Sequence, residues 1–507
     1  MPEVLTDPIK KLAGQTLVYG VGTILPRFLN YLLTPFLTYG FTAAQFGINS
    51  ELYAYISFLN VLFTYGMETA FFNFYTKEED KHKVYGTALM SLLVSTLVLT
   101  VVVLPFTGEI AVSRSAPNAV YLPQFITWCV FIIATDALMA IPFARLRAEN
   151  KAIRFSLLKL LNVALNFGLT LFFVITCRDA HEAGENSFFA FLYDPAIGIG
   201  YAFLANLIAN VVTLLFLSRL YFDKSWKVDT ALWKRMLTYA WPLLIVGLAG
   251  MINETLDRIL LKYLMTDQAE AQEAQGIYGA CYKIAILMTI FIQAYRFAAE
   301  PFFFGRRKDA DSRNTYALVM KYFVIFCLFI FLSTVLNLDW IKYFIGEDFR
   351  SGLKVVPVLL LANLCLGVVY NQSIWYKLSG QTRFGAIIAI SGAIITVAVN
   401  FIYVPRYSYV ACAWATLAAY AGMMIISYFL GRKYYPISYN LRAMSVYVVI
   451  ALLLYASSFV YASITSSAVR LVINNLLILL FVFVVYKLEI STIKKIKGNV
   501  TGGSSGR

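Results

Sequence analysis

A chain of 507 residues that is 60% hydrophobic and 14% charged, with a mean hydropathy of +0.70, lies outside the range of soluble globules, about 45–50% of whose residues are apolar. It reads as a polytopic membrane protein. Its net charge of +14 would suggest nucleic acid in a soluble protein, but the basic residues are scattered through short connections, so no nucleic-acid partner is expected.

In chain order, "MPEVLTDPIKKLAGQ" lacks the short apolar core of a cleavable signal, and the first apolar stretch is long enough to span a bilayer. A window of about 19 residues then predicts helices at 17–41, 48–75, 84–107, 119–143, 153–176, 196–221, 236–264, 276–304, 315–337, 354–376, 384–404, 408–431, 441–463 and 468–487, fourteen in all. Pro26, Pro35, Pro142, Pro242 and Pro357 interrupt these runs as kinks or hinges. Tyr and Trp residues near helix ends, such as Tyr239, Trp241, Trp340, Trp375 and Tyr376, suit the membrane interface or a sugar-stacking surface. The last ten residues, 498–507, end in "TGGSSGR" and read as a flexible tail of tag or linker character.

The connections exclude several chemistries. The longest outer loop is roughly 177–195, and the chain holds only two histidines, His82 in the charged run "KEEDKHK" and His181. No metal-spaced His/Cys/Asp cluster, Gly-Lys phosphate loop or Ser/His/Asp set is present in the sequence, which points away from an ATP-driven pump or an enzyme and toward a secondary transporter. The six cysteines lie in apolar runs or at the end of one and suggest no disulfide.

Sorting Lys and Arg by connection puts 29 on the side of the N-terminus and the even-numbered loops, against seven on the other. Arg114, Arg178, Lys342, Arg350, Lys354, Arg406 and Arg470 make up the smaller set, where Asp267, Glu270 and Glu273 crowd one loop. By the positive-inside rule both termini are expected in the cytoplasm, with anionic membrane lipids as partners of the basic loops.

The chain also echoes itself. "FGINSELYAYISFLNVLFTYGMETAFFNFYTKEED" (46–80) aligns with "QGIYGACYKIAILMTIFIQAYRFAAEPFFFGRRKDA" (275–310), matching Gly47 to Gly276, Ile48 to Ile277, Tyr53 to Tyr282 and, after a gap, Glu68 to Glu300. Arg154-Phe155 echoes Arg383-Phe384, and Asn166-Phe167 echoes Asn400-Phe401. Six helices per half with equal orientation make parallel repeats about an axis normal to the membrane, enclosing a cavity. The expected units are an N-terminal lobe at 1–225, a C-terminal lobe at 226–436 and two additional helices at 437–497.

"GLAGMINETLDRILLKYLM" (247–265) places Glu254, Asp257 and Arg258 at membrane depth, where each ionised group costs roughly 2.5–3.5 kcal/mol or more. Arg27, Glu68, Asp136, Lys283, Arg296 and Glu300 are expected at similar depth on helices 1, 2, 4 and 8. Such groups persist where they face water or each other. One reading is an internal pair, Glu254 with Arg258 four residues on. The other assigns Arg27, Arg258, Arg296 and Lys283 to an anionic substrate, and Asp257, Glu254, Glu68, Glu300 and Asp136 to ion coupling or gating.

The stretches "NETLDRILLKYL", "GIYGACYKIAILMTIFIQAYRFAAEPFFF" and "SIWYKLSGQT", with fourteen helices in duplicated halves, resemble the polysaccharide-transport branch of the MOP exporter superfamily, near the O-antigen (Wzx-like) flippases of Bacteroidetes-type bacteria. The resemblance covers nearly the whole chain and is most specific over 240–440. It implies a MATE/MOP-like all-α fold and alternating-access transport of an undecaprenyl-pyrophosphate-linked oligosaccharide across the inner membrane. It further implies no cofactor beyond a coupling ion, sodium or proton, and a polysaccharide polymerase as a functional partner. Lipid II flippases and cation-coupled multidrug exporters share the superfamily and stand as alternatives, as does a non-transporting enzyme or scaffold of polysaccharide assembly.

Overall fold

A computed structural model describes residues 6–184, 186–222, 227–305, 312–461 and 463–502. With no water in the bilayer to satisfy backbone groups, a chain this apolar must close its hydrogen bonds within each segment, and helices do so. With the lobe bounds that the sequence suggests, the N-terminal lobe comprises α1 (Thr6–Gly40), α2 (Ala43–Thr64), α3 (Met67–Lys77), α4 (Lys81–Val103), α5 (Thr107–Arg114), α6 (Pro123–Ala148), α7 (Ala152–Leu171), the short α8 (Arg178–Glu182) and α9 (Phe188–Phe191), and α10 (Tyr201–Tyr221). The C-terminal lobe follows with α11 (Thr230–Leu264), α12 (Gln268–Gly305), α13 (Ser312–Val335), the short α14 (Leu338–Ile341), α15 (Val356–Gln372), α16 (Ile374–Leu378) and α17 (Arg383–Tyr434). Then come α18 (Leu441–Ser457) and α19 (Ser467–Gly502).

Each expected span overlaps a helix over most of its length. Ten helices among the described residues are long and apolar enough to cross a membrane. The 52-residue α17 serves as two spans, because Ser408 leaves helical geometry at φ 51° and ψ −141°, three residues after Pro405. The second expected span is broken into α2 and α3 where Tyr65 and Gly66 both adopt left-handed backbone, at φ 32° and 74°. α19 continues to Gly502, into the stretch read as tail; 503–507 lie outside the described residues. So do Lys224, Arg306, Arg307 and Lys308 of the basic connections, and nothing is described of the side chains of Lys10, Lys11, Lys494, Lys495 and Lys497.

Within the first lobe α1 packs on α7, α7 on α10, and α10 and α4 on α6; within the second, α17 gathers α11 and α15. The lobes meet where α2 lies against α11 and α12. That approach is backbone-close: a Cβ on Gly276 would stand 1.8 Å from the Ala43 carbonyl oxygen, and one on Gly47 would stand 2.3 Å from the Gln272 carbonyl oxygen. The matched glycines of the two repeats therefore form the crossing itself. α18 and α19 pack on α13 outside the lobes, pinned where Glu489 accepts from Lys321 at 2.5 Å, Tyr447 at 2.7 Å and Tyr322 at 3.1 Å.

Candidate substrate cavity

The intramembrane charges collect around two chambers, each lined from both the first and the second set of helices. The larger, about 1060 Å³, is lined by Glu68, Asp136, Arg147 and Lys159 from the first lobe and by Met251, Arg296, Phe297 and Glu300 from the second. The smaller, about 250 Å³, is lined by Arg258, Lys283 and Tyr282 and by the neutral polar residues of α1, α2, α7 and α10. Ser57 lines both chambers.

The larger chamber shows the repeat in its chemistry. Glu68 at the start of α3 pairs with Arg147 of α6, and the equivalent Glu300 of α12 pairs with Lys377 of α16 at 2.7 Å and with Arg296 at 3.8 Å. Beside these pairs Phe155 packs edge-on against Phe143 at 5.5 Å, and its echo Phe384 packs against Trp375 at 5.3 Å. Deeper, Asp136 accepts a 2.9 Å hydrogen bond from Asn210 Nδ2 and lies within electrostatic reach of Lys159, whose ammonium caps the Phe143 ring at 4.3 Å. Arg296 stacks over Tyr370 at 4.1 Å, and Arg27 and Glu254 act with it on the Tyr370 hydroxyl.

The charges of α11 divide differently from the expected i, i+4 pair. Among the described residues no ion pair joins Glu254 to Arg258: Glu254 is exposed, and Arg258 Nη2 reaches only its backbone oxygen, at 3.3 Å. Stacking explains the departure, since the guanidinium lies 4.2 Å from the centre of the Tyr282 ring. Asp257 is buried, accepting from the Arg258 backbone N–H at 2.8 Å, from Tyr278 at 2.5 Å and from Thr416 at 3.5 Å. It lines neither chamber.

Beyond the smaller chamber the lobes are latched. Glu51, wholly buried on α2, accepts hydrogen bonds from Arg114 and Tyr121 of its own lobe and from Lys262 of α11 at 3.3 Å. Gln272 of α12 donates to Tyr121 at 3.0 Å, Asn118 donates to the Ala269 carbonyl at 3.0 Å, and the Tyr55 and Tyr263 hydroxyls meet at 3.1 Å.

The structure thus brings Arg296, Glu300, Glu68 and Asp136 to one chamber and Arg258 and Lys283 to the next, with Arg27 and Glu254 grouped around Tyr370. Sequence reasoning had left Arg147 and Lys159 among loop charges. Lys159 lies about two turns inside α7, a depth that sets it apart from a connection.

A family model described as "Polysaccharide biosynthesis protein" matches residues 12–304, more than half of the chain. The chain belongs to this family. No curated protein matches the sequence significantly. Among solved structures, this polysaccharide biosynthesis protein is similar to the lipid II flippase MurJ in an inward closed conformation, at 14% identity and TM-score 0.67, covering 94% of this chain and 100% of that one. It is also similar to an inward-facing multidrug resistance MATE family transporter of the MOP superfamily, at 14% identity and TM-score 0.62, covering 82% and 97%. At these identities the likeness is one of fold, and it establishes an all-α, multi-pass membrane protein of MATE/MOP architecture.

Proposed function

We propose that this polysaccharide biosynthesis protein is a flippase that carries a polyprenyl-pyrophosphate-linked oligosaccharide across the bacterial inner membrane by ion-coupled alternating access, with both termini in the cytoplasm. The observation that carries the reading is the charged cavity of about 1060 Å³, lined from α2, α3, α6 and α7 on one side and α11 and α12 on the other, a polar space suited to a charged head whose lipid tail stays in the bilayer. Arg27 and Arg296 around Tyr370 supply planar forks suited to two phosphate oxygens at once. Glu68 and Glu300 hold Arg147, Lys377 and Arg296 until phosphate replaces them. Asp257, buried behind α11 against Tyr278 and Thr416, couples a proton or sodium ion to movement of that helix. A polymerase then uses the exported repeat.

The test is transport of a polyprenyl-pyrophosphate oligosaccharide in proteoliposomes, with and without proton or sodium gradients. The reading requires gradient-stimulated transport in the wild type, with stimulation lost in Asp257→Asn. Stimulation undiminished by that substitution removes the coupling role, and absence of transport removes the flippase reading.

A further inference from the structure

The smaller chamber carries two positive charges and no carboxylate in its lining. Arg258 keeps its buried Nε without a hydrogen-bond partner, and the only charged group found to act on Lys283 among the described residues is Arg258, of the same sign. Asp257 and Glu254 act on Arg258 from outside the lining, and Asp257 is also engaged by Tyr278 and Thr416. No carboxylate among the described residues acts on Lys283, whose ammonium faces this small space at membrane depth beside a like charge, so an anion completes it.

The rest of the lining says what else that anion carries. Asn49, 8% exposed, leaves its Oδ1 without a partner, so the occupant must donate a hydrogen bond as well as accept from two cations. A fully ionised phosphate has no proton to donate, whereas a sugar hydroxyl has. Asn30, Asn166 and Asn206 add amides that both donate and accept, and Tyr53 and Tyr282 contribute aromatic rings to the wall. At about 250 Å³ the chamber is below the roughly 300–1,000 Å³ of drug-sized sites and fits one ring rather than a chain.

We propose that the smaller chamber binds one acidic monosaccharide unit of the transported oligosaccharide, a uronic-type sugar whose carboxylate is held by Arg258 and Lys283 and whose hydroxyl donates to Asn49. The assignment rests on the flippase reading and adds to it the class of sugar. The pyrophosphate is the other anion of such a substrate, so the experiment holds it constant.

The probes are a polyprenyl-pyrophosphate disaccharide ending in glucuronic acid and its counterpart ending in glucose, assayed with the full-length protein in proteoliposomes. The wild type transports the acidic probe with kcat/KM about tenfold or more above the neutral one, equivalent to about 1.4 kcal/mol of preference. Arg258→Gln and Lys283→Gln each lower that acidic-to-neutral ratio about tenfold, and Lys283→Arg restores it. Asn49→Asp, which adds a negative charge without changing size, also collapses the ratio and reports even where Arg258→Gln fails to reach the membrane. Equal transport of both probes by the wild type, or ratios unchanged in the variants, overturns the acidic-sugar site and leaves the flippase reading intact. Transport of neither probe overturns both.

Discussion

At the scale of single residues, the cavity distinguishes cations that must be forks from cations that need only be charges. Arg296 holds its guanidinium 4.1 Å from the centre of the Tyr370 ring, with Arg27 within electrostatic reach of the same tyrosine, an arrangement that a lysine ammonium cannot reproduce because it neither stacks as a plane nor presents two parallel donors. Arg27→Lys and Arg296→Lys are therefore expected to lower transport of any pyrophosphate-linked probe about tenfold or more at normal membrane abundance, a loss of about 1.4 kcal/mol or more. Undiminished transport in both refutes the fork. Glu51 poses the opposite problem, one carboxylate serving Arg114, Tyr121 and Lys262. Removing one partner of a buried ion pair costs about 3–5 kcal/mol, so Glu51→Gln should shift the lobes toward the state open at that latch by a hundredfold or more. A cysteine at Ser50, which lines the smaller chamber, would then react with a membrane-impermeant thiol reagent added on the latch side. Unchanged reactivity relative to the same cysteine in the parent protein would show that Glu51 does not hold the latch.

At the scale of elements, the latch is possible because α2 and α12 cross at glycine. The Gly47-to-Gly276 match was legible in the sequence, whereas its meaning depended on a backbone approach that no pattern encodes: a Cβ on Gly276 has no room at 1.8 Å from the Ala43 carbonyl, and backbone cannot rotate away as a side chain would. Gly276→Ala should accordingly raise reactivity of the Ser50 cysteine as Glu51→Gln does, and a variant as unreactive as its parent would show that the crossing can relax. The entry of α11 is set by Asp229, whose carboxylate caps Ala231 and Leu232 at 2.7 and 2.9 Å and bonds to Lys83 of α4. The Lys83 bond, followed by the backbone cap, pushes the Asp229 carboxyl down to about 2. A depressed carboxyl stabilises the fold above its unfolded value of about 3.9, and the contribution is lost as pH falls from about 4 to about 2. In Asp229→Asn the melting temperature should fall less steeply over that window than in the wild type; parallel profiles would refute the assignment.

At the scale of the whole molecule, what the sequence disclosed followed from the solvent. Lipid demands long apolar helices and tolerates charge only in water or in pairs, so the all-α, multi-pass fold and the charged residues that gather at the cavity were readable. Their partners were not, because which charge meets which depends on helix rotation and lobe packing: Glu254 and Arg258 share a face yet do not pair, whereas Glu68 finds Arg147 from a segment read as loop. The two mirrored pairs, Glu68 with Arg147 and Glu300 with Lys377, lie at one end of the cavity, while the Glu51 latch closes the other. By the positive-inside rule the 29-to-7 sorting of basic residues leads to the expectation that the mirrored pairs lie at the cytoplasmic end and the latch at the outer face. On that assignment, the connection between α11 and α12 with the first turn of α12, where Asp267 and Glu270 are exposed, faces outward. A cysteine at Glu270 in a variant lacking the six native cysteines should react with an impermeant reagent in intact cells, and one at Glu79, in the connection between α3 and α4, only after the membrane is opened. The reverse pattern would invert the molecule and place the closed latch on the cytoplasmic side.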